Sequence, residues 1–433
     1  MQSIIIVGAS LAGLSAARAL RAAEFTGELT VIGAEASRPY DRPPLTKDFL
    51  RGSCSTADLA LETGEDLAAR WLLGAPAVSF DAAARRVGLA DGRSVSADGV
   101  VLATGADAVA HPLLPVGANV HTMRTVADAE RLRGELAPGR RLVIVGAGFI
   151  GTEIAASAVS LGAEVTLLSQ DSVPLRRALG EPIGDFLATE HRAHGVRMIA
   201  PARIVDVDRD AGAGQGNDGD AVTALRLADG TVLPADVVVV GIGSRAATGW
   251  LAGSGLRLAA DGGVLCDAAG RALTADASGG AGGAVDGVVA VGDCAAWWDQ
   301  VRGVHHRLEH WTGAVERAGV VADVLLGASG PEVASARAPY FWSDQYDLRL
   351  QVAGVVAGHD ELRVEEGSVA DRSFLARYYR AGEPVAVFGV NQPKLFTRAR
   401  RALGTGAAPA AGTTGTTGTT SNVIAGTGTA LAS

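Results

Sequence analysis

The sequence predicts an α/β fold in which two parallel-sheet units are followed by a C-terminal α+β domain. Three observations carry this. A short apolar run, Ser3 to Val7, ends in the turn G-A-S-L-A-G at 8–13 and continues as an Ala/Leu/Arg helix to about Ala23. The same strand, glycine turn and helix recur as Arg141 to Val145, G-A-G-F-I-G at 146–151, and a helix to about Leu161. After Pro331 the pattern changes to short strands carrying Tyr340, Phe341, Trp342, Tyr346, Tyr378 and Tyr379. Unbroken apolar runs, without polar alternation, belong to strands buried on both faces of a parallel sheet.

The remaining elements fall in order. A strand from Leu29 to Ile32 stops just before Glu35, and Val100 to Leu102 leads into A-T-G at 103–105. Glu164 to Leu168 closes the second copy, Val237 to Val240 precedes G-I-G at 241–243, and Val288 to Val291 runs into G-D-C at 292–294. These glycine turns mark where the chain leaves and re-enters a first domain interrupted by a second. The expected boundaries are 1–112 with 241–330 for the first domain, 113–240 for the second and 331–404 for the α+β domain. About 150 residues per domain also predicts roughly three. Two stretches rich in Gly, Ala and Asp, 210–220 and 275–286, read as hairpin insertions or loops. The Gly/Ala/Thr tail, 405–433, lacks the apolar surface to offset its ordering entropy and is expected to be disordered.

Composition narrows the chemistry. With 48% hydrophobic and 20% charged residues the chain reads as an ordinary globular protein. A net charge of −9 argues against nucleic acid or an anionic membrane as partner. No apolar run reaches the ~18 residues of a membrane span. The apolar start lacks a basic leader, so a cytoplasmic protein is expected. Cys54, Cys266 and Cys294 form no C-x-x-C pair, which argues against a disulfide framework, a zinc site or a dithiol relay. His305, His306 and His310 make no ligand pattern, so no metal is expected. Electrons, if this chain moves them, must travel on a bound cofactor.

The glycine turns say what that cofactor looks like. A tight strand-to-helix bend aims backbone N–H groups and a helix N-terminus at a pyrophosphate. In the first turn Gly8 makes the bend, Gly13 lets helix and strand approach, and Ser10 replaces the middle glycine beside Leu11 and Ala12. Glu35, ending the next strand, is placed to accept from ribose hydroxyls. The second turn is complete, with Gly146, Gly148 and Gly151 around Phe149 and Ile150. Ser169 stands where a ribose-binding carboxylate is expected, with Asp171, Arg176 and Arg177 beyond it. The plainer alternative is a tight βα turn without ligand, or, for the arginines, a solvated loop. Two Rossmann-like dinucleotide-binding domains in one chain imply two nucleotides.

With R-P-Y-D-R-P-P-L-T-K at 38–47, R-L-E-H-W at 307–311 and Y-F-W-S-D-Q-Y at 340–346, these motifs carry a family resemblance. Nearly the whole chain, to about Leu403, resembles the FAD-dependent NAD(P)H:ferredoxin reductases that serve bacterial ring-hydroxylating dioxygenases and haem monooxygenases. Rubredoxin reductases and apoptosis-inducing-factor-like flavoproteins are related.

The resemblance implies that FAD lies on the first unit. Ala12 and Gly13 would contact its pyrophosphate, Glu35 its ribose, and Arg42 and Lys47 its flavin. Ala77 would lie near the adenine, and Ala103, Thr104 and Gly105 beside the first turn. Arg124, Asp293, Glu309, His310 and Trp311 would complete that site. Glu153, with Gly243 and the second turn, would serve NADH or NADPH, Lys47 and Glu153 forming an ion pair that bridges the two nucleotide domains and acts in catalysis. Three departures stand out: Asp107 where relatives often carry arginine, Gly313 in place of a polar residue, and Ser169.

The implied chemistry is hydride transfer from NAD(P)H to FAD, then single electrons to a two-iron, two-sulfur ferredoxin. A rubredoxin or quinone acceptor, or a flavoprotein acting mainly through interaction, stays open, as does monomer or homodimer. Because the chain is net negative, an acidic ferredoxin needs a local basic patch. Lys394, Arg398, Arg400 and Arg401, with Arg302 and Arg307, are its expected members.

Overall fold

The structure, a computed structural model, describes residues 1–62, 64, 66–210, 220–275, 281–300, 303–327 and 338–403. Their contacts form two compact units. The first holds Met1–Arg42, Ser55–Asp107 and the described residues from Ser244 to 327; the second holds Pro43–Cys54, Ala108–Gly243 and the described residues from 338 onward.

In the first unit, strands Ala69–Leu72, Glu28–Ile32, Ser3–Val7, Gly99–Leu102 and Ala281–Ala290 lie side by side, every pair parallel. Ile4, Ile5 and Ile6 are all buried, so successive side chains on both sheet faces are covered. Four further strands, Arg271–Ala275, Val264–Cys266, Ala295–Asp299 and Val304–Arg307, extend the sheet to nine. Helix Leu11–Ala22 places Ala16, Ala17 and Leu20 in the same core as Ala318, Val321 and Ala322 of helix Trp311–Leu325. A three-stranded antiparallel meander, Ala77–Asp81, Arg86–Leu89 and Ser94–Ser96, belongs to the same unit.

The second unit has its own parallel sheet, in the order Arg197–Ile199, Glu164–Leu168, Arg141–Val145, Val237–Val240 and Val120–His121. Helix Phe149–Ser160 follows its glycine turn. The C-terminal strands form an antiparallel sheet, Tyr340–Gln345, Leu348–Gly354, Glu383–Val390, Ser373–Arg380 and Glu361–Ser368, backed by helix Pro393–Leu403 through Phe396 and Ala399.

This division differs from the domains expected. The C-terminal sheet shares a core with the residues between 175 and 187: Leu179, Ile183 and Leu187 pack with Leu350, Phe374, Tyr378 and Phe388. The Tyr378 hydroxyl also donates to the Leu179 carbonyl at 2.7 Å. The excursion Pro43–Cys54, expected with the first domain, also falls in the second unit. Of the two readings given for the stretch 275–286, a hairpin insertion or a loop, the described residues fit the hairpin: strand Ala281–Ala290 pairs antiparallel with Arg271–Ala275 across two register shifts. Backbone hydrogen bonds suffice for that pairing where side chains are small. Residues 211–219, 276–280, 328–337 and 404–433 lie outside the described residues, and with them the expected tail.

Candidate functional site

The first glycine turn is a cradle that side chains would fill. Gly8 has φ +126°, and a Cβ there would sit 2.0 Å from the Ala103 carbonyl oxygen. A Cβ on Gly13 would meet the Gly8 oxygen at 1.8 Å. Ser10 starts the helix with no side-chain cap, so the helix N-terminus that includes Leu11 and Ala12 is left to an anion. Around it, Arg42 binds Glu35 Oε1 at 2.7 Å and Ser10 Oγ at 3.3 Å, while the Tyr40 hydroxyl donates to Glu35 Oε2 at 2.5 Å. Glu35, the acid expected at the ribose, is thus held in place, with one carboxylate edge tied to the turn through Arg42.

The other residues expected around FAD take up defined places in this unit. Thr104, between Ala103 and Gly105, donates to the Ala247 carbonyl at 2.8 Å. Asp293 lies in the short turn Gly292–Cys294, its carbonyl accepting from Arg307 at 3.1 Å. Glu309 accepts from Ser244 and from Arg307. Burial lowers the pKa of His310. Trp311 begins its helix, donates from Nε1 to Asp41 at 3.0 Å and stays 37% exposed, enough to offer a ring face. Ala77 opens the meander. Arg124 falls in the second unit, just before helix Val126–Glu135, its backbone N–H donating to Asp128.

The second turn repeats the geometry. Gly146 has φ +111°, a Cβ there would lie 2.2 Å from the Gly241 oxygen, and a Cβ on Gly151 would lie 2.0 Å from the Gly146 oxygen. Gly148 meets nothing within 4 Å, leaving an open face at an uncapped helix start. Phe149 sits edge-on to Phe341 at 4.5 Å, Ile150 is exposed, and Gly243 has φ +126° in open space. Ser169 is buried at the end of its strand. The two arginines beyond it are partnered: Arg176 with Glu181 at 3.6 Å and Arg177 with Asp171 at 3.0 Å.

Within the second unit, Lys47 and Glu153 form the ion pair expected of them, Nζ to Oε2 at 2.6 Å, with side chains 10% and 5% exposed. It does not bridge the two units, because the Lys47 segment clusters with Glu153. Thr46 donates to the same carboxylate oxygen at 2.5 Å, and Ser343 to the other oxygen at 2.7 Å. Ser157 anchors the Thr46 carbonyl at 2.6 Å, and the Pro43 carbonyl accepts from Lys47 at 3.0 Å. A buried pair survives its desolvation only with such full partnering. Thr46, Ser343 and Gln345 escaped the sequence reading. The alternation of S-D-Q, which puts Ser343 and Gln345 on one strand face, was the available signal.

Residues 2–318 match the family described as pyridine nucleotide-disulphide oxidoreductase. The chain belongs to this family. Residues 340–418 match a second description, reductase C-terminal. Rhodocoxin reductase of Rhodococcus erythropolis is 35% identical over 410 residues, covering 93% of this chain and 90% of that protein. Ferredoxin–NAD(P)(+) reductase of Sphingomonas sp is 35% identical, covering 92% of each. The solved covalent complex of putidaredoxin reductase with putidaredoxin contains a chain that superposes with a TM-score of 0.83 at 30% identity, covering 93% of both. This pyridine nucleotide oxidoreductase uses FAD and NAD(P)H, and the two cradles fit two dinucleotides. The three cysteines of the sequence form no C-x-x-C pair, and burial raises the thiol pKa of Cys266 and Cys294.

Proposed function

We propose that this oxidoreductase passes electrons, one at a time, from NADH or NADPH through FAD to a small two-iron, two-sulfur ferredoxin that feeds an oxygenase. The observation that carries the reading is two dinucleotide cradles in a chain whose sequence has no C-x-x-C pair: with no dithiol relay of that kind, the electrons leave from the flavin. The names of the relatives, and putidaredoxin as the partner in the solved complex, support the acceptor class. When bound, the cofactors supply the hydride donor and a flavin that accepts two electrons and releases them singly.

The protein's part is orientation. Gly8, Gly13 and the helix start at Leu11 receive one pyrophosphate, and Gly146, Gly148 and Gly151 the other. Lys47 and Glu153 orient the nicotinamide carboxamide. Ser169 supplies no carboxylate to repel a 2′-phosphate, so both nicotinamide dinucleotides are used. Docking falls to the terminal helix, where Lys394, Arg398 and Arg401 are exposed. Two of the cations first expected do not serve. Arg307 is 11% exposed and held by Asp261 and Glu309, and Arg400 lies over the Tyr340 ring at 4.4 Å. Arg302 is outside the described residues. A cytoplasmic location, where NAD(P)H is made, completes the reading.

The test is NAD(P)H-driven cytochrome c reduction with and without candidate ferredoxins, a rubredoxin and a quinone. Strong stimulation by a ferredoxin is expected. Stimulation by rubredoxin or quinone alone, or by none, overturns the acceptor assignment.

A further inference from the structure

Glu153 is the last acceptor of a buried hydrogen-bond chain, and the polarity of that chain follows from its carboxylate end. A carboxylate paired with Lys47 only accepts, so Ser343 Oγ, 2.7 Å from Glu153 Oε1, spends its one O–H there. The Ser343 oxygen must then accept, which turns the Gln345 amide nitrogen toward it at 3.0 Å and toward Thr152 Oγ1 at 3.0 Å. Gln345 Oε1 consequently faces His191 Nε2 at 3.1 Å, and that nitrogen carries the hydrogen. Burial lowers the His191 pKa to about 4, so near neutral pH the ring has a single N–H. Its Nδ1 is left as an acceptor for the Tyr346 hydroxyl at 2.8 Å, and burial holds that phenol protonated. Tyr346, His191, Gln345 and Ser343 thus all donate in one direction, toward Glu153.

We propose that Ser343 and Gln345 are positioning residues for hydride transfer, fixing the carboxylate plane of Glu153, and through it the Lys47 ammonium, from the C-terminal sheet. The proposal rests on the reading that the Lys47–Glu153 pair orients the nicotinamide. Lys47 and Thr46 hold one carboxylate oxygen and Ser343 the other, so rotating the carboxylate breaks at least one bond. Ser343 and Gln345 are each 1% exposed, so water cannot replace a lost donor. Strand Tyr340–Gln345 is itself locked in antiparallel register with Leu348–Gly354.

The experiment compares Ser343→Ala, Ser343→Thr, Gln345→Leu and Glu153→Gln in the FAD-loaded full chain. It measures the limiting rate of flavin reduction, the equilibrium affinity for NAD(P)+, the melting temperature, and the ring-nitrogen resonances of ¹⁵N-histidine-labelled protein. The labelled parent is expected to show His191 as the Nε2–H tautomer, and Gln345→Leu to shift those resonances. Ser343→Ala is expected to slow limiting reduction about tenfold, a loss of ~1.4 kcal/mol of transition-state stabilisation. Its NAD(P)+ affinity should stay near the parent's, and Ser343→Thr, which keeps the hydroxyl, should restore the rate. An Nδ1–H tautomer in the parent overturns the proposal. So does a parental rate in Ser343→Ala where Glu153→Gln is slowed. A parental rate in Glu153→Gln instead overturns the orientation reading itself, and the proposal with it.

Discussion

Lys47 Nζ stands 2.6 Å from Glu153 Oε2 although 106 residues separate the two in the chain. The Pro-Pro-Leu-Thr turn just before Lys47 brings the ammonium to the helix that follows the second glycine turn, and Thr46 binds the same oxygen. Because water is nearly excluded, neither charge can be removed without leaving the other poorly compensated.

Lys47→Ala and Glu153→Ala are each expected to lower the limiting rate of flavin reduction at saturating NAD(P)H. Removing one partner of a buried pair also costs about 3–5 kcal/mol of stability, so melting temperature must be followed alongside. The double variant Lys47→Met/Glu153→Leu should recover most of the stability and none of the rate. Stopped-flow traces with parental limiting rates in both single variants would show a purely structural pair.

Nucleotide choice is expected to be weak. Ser169 offers a 2′-phosphate no repulsion, but Arg176 and Arg177 are already engaged by Glu181 and Asp171 and give it only modest attraction. NADPH and NADH should therefore support comparable turnover, and Ser169→Glu should shift the enzyme toward NADH. A parental preference for NADH beyond roughly a hundredfold, ~2.7 kcal/mol at ~1.36 per decade, contradicts this.

Acid should weaken the second unit through His191. Its folded pKa, about 4, lies below the ordinary 6.5, so the unfolded chain binds the proton more readily. The stability it contributes is complete above about pH 6.5 and is lost as pH falls toward 4, by an amount on the order of 3 kcal/mol. Melting temperature against pH should fall less steeply across that window in His191→Gln. Parallel curves for parent and variant would assign the acid sensitivity to other groups.

Charge reversal at Lys394, Arg398 and Arg401 is expected to slow ferredoxin-dependent turnover several-fold at low salt and to flatten its salt dependence. Rim charges act mainly on association rate, and a Debye length of ~8 Å at about 0.15 M screens them. Flavin reduction by NAD(P)H should be unaffected. Unchanged turnover and salt slope would move the docking surface elsewhere. Arg400 is kept out of this set because its guanidinium stacks on Tyr340 and its loss disturbs packing.

The two parallel sheets and their glycine turns were legible because their causes are local. A run such as Ser3–Val7 must be buried on both faces, and Gly8 and Gly146 hold φ values that side chains rarely adopt. The acid after the first turn and its absence after the second follow from counting along a strand. Which arginines are available to a partner was not legible, since composition shows that Arg307 is a cation and not that Asp261 and Glu309 enclose it.

The grouping of Lys47 with Glu153 in one unit, and the joining of Ser343, Gln345, His191 and Tyr346 to that pair, have no local signature. Ser343 and Glu153 are 190 residues apart. A buried polar group must find a partner, but which partner depends on which elements share a core. Here it depended on Leu179, Ile183 and Leu187 packing into the C-terminal sheet, which put the strand carrying Ser343 and Gln345 into the same compact unit as Glu153. Local chain chemistry therefore sets the nucleotide cradles, whereas the packing of distant apolar surfaces sets the partners of the charged pair.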